Sequence, residues 1–380
     1  VFLDHPGSVP TASDPGHRAI LRPAPLRQLL GFCLFEAAYY IAYRYGMSFS
    51  QATASPFWFP DSVLLCGLLL SRPGQWWLFI AGILPIRVFS EVARDLPLWF
   101  LLATFAIDSV RGVLTATALR RFLANPTRID TIREFGIFCL WAVLLMPAAS
   151  ALAGAAARQA LGHAFWPTWE QWFLGNALTH LVVTPAILCW VFGSHWKMAT
   201  RSGARWAEAA LVGVGLLVTG YLAFDTPSTP SGFSEPRFYA PVPLLFWAAI
   251  RFGMAGASGG IVLIAGLAVE AALEVRGPFA GRSPADTALA LQHFLLLRTV
   301  PLYLIAILGE QRSAVEQSLR ESQERTSRAA TAAELGLWDW DMGRDQVWYT
   351  RTGRTDLGAL APISFGGFIG LVHPDDRREV

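Results

Sequence analysis

Several ionisable side chains sit inside long apolar runs of this sequence: Glu36, Asp61, Arg87, Glu91, Asp108, Arg111, His180, Glu270, His293 and Arg298. Each costs about 2.5–3.5 kcal/mol to place in a bilayer, so each calls for a partner or a purpose. Asp108 and Arg111 can touch on one helix and read as a self-neutralising intramembrane ion pair. Arg87 and Glu91 read as a second pair, close to a membrane surface.

Asn176, Thr179 and His180 fall within about a turn and a half of helix and share a face. Pro185 follows and frees a carbonyl beside them. Trp58, Pro60 and Asp61 belong to another apolar run and would face the same interior. A polar, kinked helix is one way a bundle lines a midplane cavity, so these six residues form a candidate ligand or signal pocket. The competing reading is that Asn176 and Thr179 only hold helices together. His180 and His293 are available as haem ligands, but two isolated histidines make no cofactor site and packing histidines are commoner. The cofactor is unknown, and no metal site is assigned.

Other chemistry finds little support. Cys33, Cys66, Cys139 and Cys189 each lie alone in apolar runs, with no CxxC or Cys/His spacing, and read as small buried hydrophobes. GMAGASGG at 253–260 lacks the lysine of a phosphate loop and reads as small-residue helix packing. No basic patch points to nucleic acid. Trp76, Trp77, Trp99, Trp166, Trp169, Trp172 and Trp206 lie near predicted span ends and fit the aromatic belt of a membrane protein, which requires no aromatic cage.

The elements that position these residues follow from composition. The 380 residues are 53% hydrophobic and 15% charged, against about 25% charged in soluble domains. A spanning helix needs about 20 mostly apolar residues. Such runs fall at 26–45, 56–71, 75–93, 97–119, 134–157, 170–193, 206–224, 238–250, 255–273 and 288–309. The second and eighth are short and carry Pro60, Pro241 and Pro243, so they are tilted, kinked or re-entrant, and about 8–10 spans are expected. Arg18, Arg22 and Arg27, then Arg72, Arg120/Arg121/Arg128/Arg133, Lys197/Arg201/Arg205 and Arg251 fall in alternate loops. That bias predicts both termini in the cytoplasm. Residues 1–25 carry no cleavable signal pattern and read as a disordered tail.

After the last apolar run the composition changes. Residues 310–334 are charged, Ala-rich and free of Gly and Pro, which predicts a helix continuing the last span into the cytoplasm. A weak heptad seam runs through Leu308, Val315, Leu319, Ser322, Thr326, Ala329 and Ala333. Within 335–380, LGLWDWDM and QVWYT around Gly343 predict a hairpin over 336–350, with Trp338, Trp340 and Trp348 packing the sheet. Asp375 or Asp376 is expected to cap a following helix. About 45 residues are too few for an ordinary domain, so the chain is expected to stop inside one.

Three stretches carry a family resemblance: FWFPDSVLLCGLLLSRPGQWW at 57–77, WEQWFLGNALTHLVVTPAILCW at 169–190 and PLLFWAAIRFGMAGA at 243–257. Residues 26–309 resemble the first of the membrane-associated sensor (MASE-type) domain families, with Asp61 a departure from the small residue many members carry. GLWDWDM, VWYT, LG at 357–358 and LVHPDDRREV resemble the first half of a PAS domain, in which His373 is structural. The resemblance implies the input region of a bacterial inner-membrane receptor. The output would be a histidine kinase acting by protein-histidine autophosphorylation and signalling to a response regulator, or else a GGDEF diguanylate cyclase. It also implies a homodimer and a small-molecule or membrane-protein stimulus.

The expected architecture is therefore an all-α polytopic membrane bundle at 26–309, a signalling helix at 310–334 and an incomplete α+β PAS domain at 335–380. A transporter or channel is the rival reading, with the polar positions forming a path. The tail discriminates, because a transporter has no need of a signalling helix. An intramembrane enzyme lacks a paired nucleophile and base.

Overall fold

The computed structural model of the protein describes residues 25–49, 57–91, 97–192, 203–224, 236–274, 276–279, 283–332, 338–349, 362–371 and 373–377. The predicted tail before Pro25, the loop charges Lys197 and Arg201, Ala333 of the heptad seam and the Leu357-Gly358 pair lie outside these residues, as does the Glu91 side chain.

Helices α1 (Pro25–Phe49), α2 (Phe59–Leu70), α3 (Trp76–Glu91) and α4 (Leu98–Phe122) come first. Next, α5 (Ile132–Phe138), a π-helical turn (Cys139–Leu145) and α6 (Met146–Gln159) form one continuous span. Pro147 has no N–H for the carbonyl four residues back, which accounts for the widened turn just before it. Helices α7 (Phe165–Phe192), α8 (Gly203–Phe224), α9 (Pro241–Leu273) and α10 (Pro284–Ala332) complete the bundle. Among the described residues, six segments are long and apolar enough to cross a membrane: Leu98–Phe122, Ile132–Gln159, Phe165–Val191, Gly203–Phe224, Pro241–Leu273 and Asp286–Ala329. The predicted runs thus all become helices, but α2 and α3, at 12 and 16 residues, are short for a span. Leu34, Ile41, Leu211 and Ile250 point outward, as residues facing lipid do. Cys33 is also exposed, so only Cys66 is buried as a small hydrophobe should be.

The α9 segment is two helices rather than one. Gly253 has φ 61° and ψ −146°, a conformation open to glycine and costly for other residues. In a straight helix Leu245 and Gly260 would stand about 22 Å apart. Instead a Leu245 methyl lies 2.9 Å from where a Gly260 Cβ would sit. The chain therefore reverses at Gly253, and 241–252 and 254–273 form a helical hairpin. Gly256 and Gly260 allow the two arms to approach closely. The two predicted runs 238–250 and 255–273 are these arms, and the Arg251-Phe252-Gly253 motif is the hairpin tip.

Helix α10 is 49 residues long and leaves the bundle as a solvated rod. The pairs Arg312–Glu316, Arg325–Glu321 and Arg328–Glu324 line its surface at helical spacing. Strands β1 (Trp338–Asp341) and β2 (Gln346–Tyr349) then pair antiparallel, with Trp338 opposite Tyr349. Trp340 stacks on Phe365 of α11 (Phe365–Leu371) with centroids 4.0 Å apart. Trp338 meets Phe368 at 5.5 Å but stays half exposed, and Trp348 is also exposed, so Trp340 packs most closely of the three. Residues 374–377 form a turn, and the helix expected after them falls outside the described residues.

Candidate functional site

The site grows from α2. At about 18 Å it reaches only part way through a hydrocarbon core of about 30 Å. Its C-terminal end is held by Arg120 near the end of α4, whose guanidinium donates to the carbonyls of Leu68 at 3.2 Å, Leu69 at 2.8 Å and Ser71 at 2.5 Å. A cation there satisfies carbonyls that have no helical partner. The Trp76 indole adds a bond to Leu68 O at 2.9 Å. The first turn of α2 carries Pro60 and Asp61 inside the bundle, where the acid complements the positive end of the helix.

There Asp61 pairs with Arg111 of α4. Arg111 also holds Asp108 at 3.0 Å, and Arg87 of α3 binds Asp108 from its other side at 2.7 Å. The four side chains are 2–4% exposed. Two carboxylates and two guanidiniums balance, as buried charges must. Thr104 accepts from Arg87 at 3.0 Å, and Ser150 of α6 accepts from Arg111 at 3.3 Å. The Arg87 guanidinium lies 5.6 Å from the Tyr43 ring centroid, and Tyr43 in turn meets Trp58 edge to face at 5.4 Å. The predicted Asp108–Arg111 pair is thus half of a larger network. Arg87 is buried, because α3 packs its Arg87 face onto α4, where Asp108 waits; the expected pairing with Glu91 falls on a side chain outside the described residues.

Beside the charges, α2 and α7 are joined by a hydrogen-bonded seam. Trp58 N–H donates to Thr179 Oγ1 at 2.8 Å, and that hydroxyl donates to Gly175 O at 2.7 Å. Ser62 donates to Thr179 O at 3.1 Å, and Thr184 donates to Ser62 Oγ at 2.9 Å. His180 Nδ1 lies 3.3 Å from Thr184 Oγ1. The Thr184 proton is already used on Ser62, so His180 Nδ1 carries the hydrogen and Nε2 is left as an acceptor. Asn176 is buried one turn away, and its Nδ2 has no hydrogen-bond acceptor among the described residues.

The structure therefore brings Trp58, Pro60, Asp61, Thr179 and His180 to one seam, with Asn176 on the same buried helix. Ser62, Thr184, Arg87 and Arg120 belong to the site as well. Ser62 and Thr184 follow Trp58 and His180 at helical spacing, a signal available in the sequence. His293 lies elsewhere, with Nδ1 2.8 Å from Leu289 O. Among the described residues no three His, Cys, Asp or Glu side chains gather as metal ligands. Among the described residues the centre holds no nucleophile beside a free base. It is a neutral, cross-braced charge network that ties α2, α3, α4 and α6 together, with the α7 seam alongside.

A second junction links the bundle to α10. Glu310 accepts the Met254 N–H at 2.8 Å, capping the second arm of the hairpin just past Gly253. Arg251, at the same tip, pairs with Glu208 of α8 at 2.9 Å. Val315 and Leu319 lie beyond this junction and are exposed.

No curated protein and no solved structure matches the chain. The MASE1 family model matches residues 29–313, which takes in every bundle helix and the Glu310 junction. With its multi-pass helical bundle and that match, the chain belongs to the MASE1 family, a membrane sensory input domain of signalling receptors.

Proposed function

We propose that this chain is the input region of a bacterial inner-membrane sensor histidine kinase, with both termini in the cytoplasm. The stimulus is a small molecule or a membrane protein, and it acts on the polar centre where α2 meets α4 and α7. It shifts helix packing and so moves α10, which carries the change to a PAS domain and a kinase that phosphorylates a response regulator. A diguanylate cyclase output would use the same input. The stimulus need only favour one of two packings over the other.

The observation that carries this reading is α10 itself. One uninterrupted helix begins in the bundle, is bonded to the α9 tip at Glu310 and continues into solvent. The hairpin β1–β2 with Trp340 on Phe365 fits the opening of a PAS domain. Half-length α2 favours the transporter reading to a degree, since transporters also start helices inside the bundle, but a path for substrate gives no role to a solvated rod.

In this reading α10 pairs with its copy in a homodimer through the Val315 and Leu319 face. With the four native cysteines replaced, single cysteines at 315 and 319 should form disulfides between chains in native membranes, while Gln317→Cys, on the opposite face, should not. Equal crosslinking at all three positions, or at none, would overturn the relay by paired helices.

A further inference from the structure

Glu170 stands in a concavity of about 420 Å³ between the first turns of α7 and the middle of the bundle part of α10. Its walls are Trp166, Trp169, Phe173 and Leu174 from α7 and His293 from α10. Trp169 and Phe173 stack with centroids 5.3 Å apart, and Trp166 meets Trp169 edge to face at 6.2 Å. The Trp169 indole is fixed by a bond to Ala148 O at 3.2 Å, so its ring is pre-set. An aromatic belt explains single tryptophans at a span end. It does not explain a concavity that pairs their rings with a carboxylate.

The polar groups have one sense. Glu170 is exposed and has no ion-pair partner among the described residues, and its carboxylate accepts hydrogen bonds only. His293 Nδ1 sits on Leu289 O, which makes Nδ1 the donor and leaves Nε2 as an acceptor. No lysine or arginine lines the space. The space is an open groove with Trp166, Glu170 and His293 exposed, and aromatic faces with a carboxylate favour an organic cation.

We propose that this groove binds an organic ammonium group with an apolar body. The ammonium sits against the aromatic faces and the Glu170 carboxylate. The same chemistry is offered by a free amine and by the ammonium headgroup of phosphatidylethanolamine. The walls are α7, which also forms the α2 seam, and α10, which leaves the bundle. An occupant therefore bears directly on the helix that the reading above makes the output. That consequence rests on the sensory reading, whereas binding itself does not.

The test is ligand-observed NMR titration of the full chain in nanodiscs of phosphatidylglycerol, with empty discs as the baseline. The probes are benzyltrimethylammonium and the anion phenylacetate. The cation should bind, and phenylacetate should not. Glu170→Gln and Trp166→Leu, one isosteric and the other at an exposed ring, should each weaken the cation about tenfold. Circular dichroism should show both variants folded. A further tenfold loss of apparent affinity in discs containing phosphatidylethanolamine supports the lipid as occupant, and an unchanged value supports a free amine. No cation binding by the wild type, or equal binding by the folded Glu170→Gln variant, would overturn the site. Neither result touches the crosslinking experiment, so failure here and failure of the sensory reading are separable.

Discussion

The Glu310 carboxylate accepts the backbone N–H of Met254 at 2.8 Å, across the point where α10 leaves the bundle and α9 reverses. Helix ends leave N–H groups without partners, and here the missing partner is supplied by the last acidic group before the solvated rod. A hydrogen bond to a charged acceptor contributes about 1.5–3 kcal/mol. The contact is therefore strong enough to hold α10 in one position and weak enough to be exchanged.

Glu310→Gln should weaken this cap while leaving the bundle intact. Amide exchange at Met254 should accelerate about tenfold or more, as a loss of about 1.4 kcal/mol or more in local stability requires. Exchange in α4 should not change. Unchanged protection at Met254 would show that Glu310 contributes nothing to holding the tip.

Gly253 is constrained twice, by its positive φ and by the Glu310 carboxylate, into which a Cβ would run. At φ 61° and ψ −146° the backbone lies in a region essentially restricted to glycine, so Gly253→Ala meets both the angle and the collision. Thermal unfolding in detergent should show this variant destabilised. Adding Glu310→Ala removes the collision but not the backbone strain, so it should recover only part of the loss.

In the buried network, Arg111→Gln leaves Asp61 and Asp108 with one guanidinium between them. Breaking such a pair costs about 3–5 kcal/mol, enough to lower the detergent unfolding temperature sharply. Asp61→Asn in the same chain should restore much of the stability, because it removes the stranded charge. If the double variant is as unstable as the sum of the singles, the two residues do not act as a pair.

The α2–α7 seam separates glue from pocket. Removing a single interhelical hydrogen bond in a membrane costs about 0.6 kcal/mol on average, so Thr184→Val should barely move the unfolding temperature. If Asn176, His180 and Asp61 receive a stimulus, Asn176→Ala, His180→Ala and Asp61→Asn should change signalling output in the whole receptor. If all three leave output and its stimulus response intact, the seam only joins helices.

Much of this architecture is legible in the residues. The apolar runs give the helices because a bilayer accepts little else, and the charged stretch from Glu310 gives the rod. Asp108–Arg111 is legible because both partners lie on one helix. Arg87–Asp108 is not, since it depends on how α3 packs on α4, and Glu91 offers a nearer partner at helical spacing. Asp61–Arg111 likewise joins helices that are distant in sequence. The hairpin is half legible: two runs separated by Arg-Phe-Gly imply a turn, but the partner of that turn is Glu310, which composition alone assigns to the surface.

Helix α10, pinned at Glu310, has the geometry of a lever. His293 lies about 25 Å along the axis on one side of that contact, and Ala332 about 33 Å on the other. With arms so nearly equal, a sideways push of 1 Å at the groove would reappear as a swing of roughly 1.3 Å in the opposite direction at the solvated end. Pro301 lies in the input arm and is where flexing would absorb such a motion before it reached the fulcrum.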